Sequence, residues 1–144
     1  MKILLGKGVD NILFGTTEDQ AVQHIGKPNN TYQTDDENKC LQYNDQRLEL
    51  TFEPENNNLL GWIEVHHPEA QLFDKKIIGL PRQEVLSFLK KHIGEPSETE
   101  DYGSFTSVNY ADHWLELQFK FDHLSNINFG SLYDASGDPI WPEQ

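Results

Sequence analysis

The sequence contains a single cysteine, Cys40. No intrachain disulfide can form, so the fold must rest on its apolar core, and a reducing compartment fits. Positive charge is scarce as well: 11 lysines and arginines face 24 aspartates and glutamates, for a net charge of −13. A nucleic-acid binder needs a basic face to displace counterions, and an anionic membrane surface attracts cations, so both partners are excluded as expectations. Long hydrophobic runs are missing too. No stretch nears the roughly 20 apolar residues of a membrane-spanning helix. The opening apolar run, Ile3-Leu4-Leu5, is too short for a secretory signal, so the expected location is cytoplasmic.

Motifs for chemistry are equally thin. Six histidines (24, 66, 67, 92, 113 and 123) include no pair at helical metal-ligand spacing, and His66 and His67 would point to opposite faces of a strand. The acidic runs Asp35-Asp36-Glu37 and Glu98-Thr99-Glu100-Asp101 lack the spaced ligands of a calcium loop. Gly6-Lys7-Gly8 lacks the rest of a phosphate-binding loop. Cys40 reads as a small buried strand residue rather than a nucleophile. No catalytic residue, metal or cofactor is expected.

Positively, the sequence carries internal similarity. Ile12-Leu13-Phe14-Gly15 and Lys76-Ile77-Ile78-Gly79 each precede a helix start, Thr16-Thr17-Glu18-Asp19-Gln20 and Leu80-Pro81-Arg82-Gln83-Glu84. The first offers a threonine cap and early acids, the second a proline at the first helical position. Both helices should stop at glycine and proline, in Gly26-Lys27-Pro28 and Gly94-Glu95-Pro96. Polar loops should follow. Three matched strands come next: Leu41-Gln42-Tyr43 with Val108-Asn109-Tyr110, Leu48-Glu49-Leu50-Thr51-Phe52 with Leu115-Glu116-Leu117-Gln118-Phe119, and Leu60-Gly61-Trp62-Ile63 with Leu124-Ser125-Asn126-Ile127. The runs Leu48 to Phe52 and Leu115 to Phe119 alternate apolar and polar, as half-buried strands do. The expected fold class is α+β: two tandem repeats, residues 1–67 and 68–144, each a lead-in strand, a helix and a three-stranded antiparallel meander. The stretch from Gly130 has no counterpart and should pack back as an edge or a plug.

Alternation also assigns faces. Leu48, Leu50 and Phe52 should face the core, leaving Arg47, Glu49, Thr51 and Glu53 outward. Gly61, Ile63 and Val65 should face the helix, leaving Trp62, Glu64 and His66 outward. Beside Leu115, Leu117 and Phe119, the outward residues are Trp114, Glu116, Gln118 and Lys120. Tryptophans are common interface anchors and surrounding charges steer encounter. This face is therefore the candidate partner-binding surface, unless the C-terminal stretch or the other repeat covers the tryptophans.

The paired Gly-x-Pro, Tyr, Leu-x-Leu-x-Phe and Leu-x-x-Ile elements resemble the small outer-membrane-lipoprotein (SmpA/OmlA) family and the related β-lactamase-inhibitor-like fold. In this chain they are Gly26 to Pro28, Tyr43, Leu48 to Phe52 and Leu60 to Ile63, and again Gly94 to Pro96, Tyr110, Leu115 to Phe119 and Leu124 to Ile127. The lipoproteins' signal peptide and lipid-attachment cysteine are not expected here, and the chain looks like the tandem inhibitor arrangement. The resemblance implies a binding protein of the bacterial toxin-immunity type, acting on a basic partner protein such as a toxin domain and not as an enzyme. The alternative is a small-ligand binder or enzyme with a cleft between the repeats.

Overall fold

The structure, a computed structural model, describes residues 1–143. It is an α+β fold in which eight antiparallel strands form one sheet through both halves of the chain. In chain order the elements begin with β1 (Lys2–Leu4), β2 (Gly8–Val9), β3 (Ile12–Leu13), α1 (Glu18–Ile25), β4 (Asn30–Gln33), β5 (Lys39–Tyr43), β6 (Leu48–Glu53) and β7 (Leu59–Val65). They continue with β8 (Gln71–Leu72), β9 (Lys75–Lys76), α2 (Arg82–Ile93), β10 (Glu98–Asp101), β11 (Thr106–Tyr110), β12 (Leu115–Lys120), β13 (His123–Gly130), β14 (Leu132–Tyr133) and β15 (Pro139–Ile140). The large sheet runs β10-β11-β12-β13-β7-β6-β5-β4, and a small sheet runs β3-β2-β1-β8-β9. A parallel pairing of β1 with β8, Ile3 opposite Leu72, links the start of the chain to its middle.

Each meander has four strands, not three. The polar loops expected after Pro28 and Pro96 are the edge strands β4 and β10. All eight of their residues are exposed, so neither carries the apolar alternation by which a strand is read; backbone pairing to β5 and β11 alone makes them strands. The lead-in strands are only two residues long, too short for a pattern to register.

The helix signals act largely as expected. Thr17 Oγ1 accepts from the Gln20 amide at 3.2 Å while Gln20 Oε1 accepts from the Thr17 amide at 3.0 Å, a reciprocal cap. Pro81 stands one position earlier than expected, at the cap of α2 rather than inside it. The free Arg82 N–H instead donates to the carbonyl of Asp122 in the β12–β13 turn, at 2.8 Å. Gly26 (φ 101°, ψ −171°) and Gly94 (φ 82°, ψ −152°) end the helices in a region open essentially to glycine alone. At 12 residues, α2 is one turn longer than the 8-residue α1.

One apolar cluster joins Ala21 of α1, Val85 and Leu89 of α2 and Phe14 to one face of the large sheet, including Leu50, Phe52, Leu117 and Phe119. The chain after Gly130 forms the hairpin β14–β15. Its Ser131 bridges to Gly6 and its Trp141 ring lies on Gly15.

Candidate functional site

The other face of the large sheet carries the outward residues in rows fixed by strand register. The central row crosses six strands as Gln42, Glu49, Glu64, Asn128, Glu116 and Asn109. Glu49 and Glu64 are thus direct cross-strand neighbours, although like charges opposite each other repel. Each carboxylate is offset by donors. Glu49 Oε1 accepts from the Tyr32 hydroxyl and from Gln42 Nε2, both at 2.7 Å. Glu64 lies 3.2 Å from His66 Nε2, and that hydrogen bond holds the Glu64 carboxyl below its ordinary range, against the opposing effect of burial.

Glu116 is the most fully engaged. It accepts from Ser107 Oγ at 2.6 Å, Asn128 Nδ2 at 3.0 Å and Gln118 Nε2 at 3.3 Å. Asn126 Nδ2 donates to Asn128 Oδ1 at 2.9 Å and to Gln118 Oε1 at 3.3 Å. Ser107, Asn126 and Asn128 are buried even on this outer face. Buried amides need partners, and this network provides them.

A second row holds Cys40, Thr51, Trp62 and Gly130, reaching Trp114, whose carbonyl accepts from the Gly130 amide at 2.9 Å. Trp62 is half-buried, and a Cβ on Gly130 would come within 2.7 Å of its ring, so the indole lies on bare backbone. Trp114 is 45% exposed and packs against Tyr133 of the C-terminal stretch, ring centroids 4.7 Å apart. The tail therefore abuts one tryptophan without covering the pair.

Gly61 departs from its expected place. The register slips between Thr51 and Phe52, a bulge that turns Leu60 rather than Gly61 to the core. Gly61 lies instead under the Glu53 side chain, where a Cβ would meet Oε1 at 2.0 Å.

Of the eleven outward residues singled out in the sequence, Glu49, Glu64 and Glu116 share the central row, Thr51, Trp62 and Trp114 the next, and Lys120 ends β12 exposed, opposite His123. Glu53 ends β6 beside them. Arg47 is exposed, and its carbonyl accepts from the amide of His66 at 2.9 Å, at the opposite end of β6; Gln118 lies beyond Glu116, opposite Asn126. Sequence reasoning passed over Tyr32, Gln42, Asn109, Asn126, Asn128 and Tyr133. Gln42 and Asn109 were recoverable from alternation in β5 and β11, whereas Tyr32 sits on an edge strand without a pattern and Tyr133 on a stretch without a counterpart.

Hollows flank the tryptophans. One of about 370 Å³ is lined by Tyr32, Glu49, Glu53, Trp62, Trp114 and Tyr133, among others. Another of about 340 Å³ lies between Trp62, Asn109 and Trp114. A larger one, about 740 Å³, lies away from the tryptophans between α1 and β4 and is lined mostly by polar side chains. Among the described residues, no group of three or more histidines, cysteines or acids is placed to hold a metal ion, and no helix is long and apolar enough to cross a membrane.

No protein-family model matches the sequence, and no curated protein matches it. Among solved structures, the chain is similar to a DUF4309 family protein (YjgB) from Bacillus subtilis subsp. subtilis str. 168, with 14% identity over 88% of each chain and a TM-score of 0.56. It is also similar to an extracellular protein containing a SCP domain from Bacillus anthracis str. Ames, with 11% identity and a TM-score of 0.53. That match covers 84% of this chain and 44% of the other, so the chain spans less than half of the larger protein. At such identities the likeness concerns fold alone, and it groups this chain with these two proteins by architecture.

Proposed function

We propose that this chain is a binding protein of the immunity type, which neutralises a basic partner protein through the open face of its eight-stranded sheet. The observation that carries this reading is the composition of that face. Glu49, Glu64 and Glu116 form one row, and Trp62 and Trp114 stand with their hollows in the next. Partly exposed tryptophans beside concavities suit the anchoring role, and the carboxylates suit steering of a cation-rich surface.

The same reading takes the chain as two tandem copies of one unit. Several features support it. Each half runs hairpin, helix and four-stranded meander. The register slips at Thr51/Phe52 and at Gln118/Phe119. Arg47 and Trp114, each just before the next strand, both have positive φ, 51° and 48°. A second reading, a small-ligand site between the halves, is favoured by the hollow that Trp62 of one half and Asn109 and Trp114 of the other share.

The test is capture of the partner from the source cell by the parent chain and by Trp62→Ala, followed by binding kinetics with the purified partner. We expect a basic protein whose dissociation speeds up about tenfold or more when Trp62 is truncated. An acidic partner, or equal kinetics for both chains, would overturn the assignment of this face.

A further inference from the structure

We propose that the hollow between Trp62 and Tyr133 is a binding site for an organic cation, an ammonium or guanidinium group. The inference deepens the functional reading above and rests on it for the choice of face.

Aromatic rings and carboxylates make up the wall that matters. Tyr32, Trp62, Trp114 and Tyr133 line the hollow together with Glu49 and Glu53, and no lysine, arginine or histidine lines it. Among the described residues, neither carboxylate forms an ion pair. Cations are attracted to the π faces of aromatic rings, best to tryptophan, and to unpaired carboxylates. A neutral guest would leave the second attraction unused.

The walls are held in place before any guest arrives. The Glu53 side chain lies over Gly61, where any side chain would collide with it. The Trp62 ring lies on Gly130 in the same way. Asn56 Nδ2 donates to the Tyr133 hydroxyl at 3.1 Å, and the Tyr32 hydroxyl donates to Glu49. Burial, and next the nearby charge of Glu55, push the Glu53 carboxyl above its ordinary range, a strain that a bound cation would relieve.

At the corresponding register the other half of the sheet carries no such aromatic set among the described residues. There, Asn126 stands at the position of Trp62 relative to the bulge, Lys120 at that of Glu53, and Glu100 opposite Ser107 as Tyr32 is opposite Cys40. Asn126 is buried and spent on Gln118 and Asn128. Stability of the sheet therefore does not require the aromatic set. It is an addition to one half.

The test titrates the protein, at constant ionic strength, with Nα-acetyl-lysine methylamide, Nα-acetyl-arginine methylamide and tetramethylammonium, and with the neutral Nα-acetyl-norleucine methylamide. Tryptophan fluorescence and the two indole N–H resonances of Trp62 and Trp114 are read. Saturable binding of the cations is expected, with the norleucine amide about tenfold weaker or more. Glu53→Gln should weaken the cations about fivefold while leaving the norleucine amide unchanged. Thr51→Lys, which plants an ammonium in the hollow, should abolish binding and covers the case in which Glu53→Gln fails to fold. Lysine or arginine amides binding better than tetramethylammonium would identify a protein side chain as the natural guest; the reverse order would identify a free amine. Equal binding of the norleucine amide, no saturable change with any cation, or indifference to both substitutions would overturn the proposal. Partner binding that survives such a result would leave the functional reading standing, and cation binding without a basic partner would sink that reading alone.

Discussion

Tyr43 and Tyr110 each end a strand, β5 and β11, and both are buried. Their hydroxyls fare differently. Tyr43 donates to the carbonyl of Gly26 at 2.8 Å, tying the sheet to the end of α1. Among the described residues Tyr110 has no hydrogen-bond partner, and burial pushes its hydroxyl up to about 12. A made hydrogen bond contributes about 1 kcal/mol, whereas an orphaned buried hydroxyl contributes nothing or costs. Tyr43→Phe should therefore lower stability by about 1 kcal/mol in denaturant melts, and Tyr110→Phe should leave it equal or higher. Equal losses from both would mean that Tyr110 finds a partner in solution. Glu53 gives a pH-dependent counterpart. Its folded carboxyl lies above the ordinary value, so folding disfavours the ionised form, and the protein loses stability as pH rises through that range. Glu53→Gln should be more stable than the parent at pH 7, with the gap closing below about pH 4, where both side chains are neutral in either state. A gap independent of pH would place the effect in packing.

Edge strands and turns account for what the elements hide. β4 and β10 are long in contacts but blank in pattern, because an edge strand exposed on both sides needs no apolar residues. The β12–β13 turn is a different surprise. Phe121 and Asp122 connect Lys120 to His123 with φ of 50° and 64°, both left-handed, and Phe121 is 98% exposed. Such a two-residue turn favours asparagine or glycine, and a phenylalanine there is strained. Asp122 has a purpose: its carboxylate lies 2.7 Å from Arg82 at the start of α2. Phe121 has no ring partner among the described residues. Phe121→Asn should raise stability by about 0.5–1 kcal/mol, or a few degrees of melting temperature. The matching change at Phe73, whose turn has φ of 51° and 64°, should bring less, because that ring stacks on His92 at 4.4 Å. A Phe121→Asn variant that melts lower would locate a packing role for the ring that its exposure conceals.

Across the whole molecule, charge is spread evenly: 5 cationic and 12 acidic residues in 1–70, 6 and 12 in 71–144. A broad negative field rather than a charged tail results, and its reach shrinks to about 8 Å at physiological salt. Association with a basic partner should slow as salt rises from about 50 to 150 mM, with dissociation nearly constant, and Glu49→Lys should act on the same rate. A salt-insensitive on-rate would mean that the partner meets this chain through some surface other than the acidic face.

The sequence by itself determined the two helices with their glycine stops and three of the four meander strands of each half. It also determined which side of β6 and β12 faces the core. These are properties of local spacing, set by helical and strand periodicity and by the few residues able to end a helix. Tertiary structure alone decided the edge strands, whose stability comes from hydrogen bonds to neighbours distant in the chain. It alone decided the bulge that turned Gly61 away from the core, since a slip of one residue depends on how two strands pair and not on either strand's composition. Tertiary structure likewise made the aromatic hollow. Tyr32, Trp62, Trp114 and Tyr133 come from four separate segments, and only the register of the sheet and the return of the C-terminal hairpin bring them around Glu49 and Glu53.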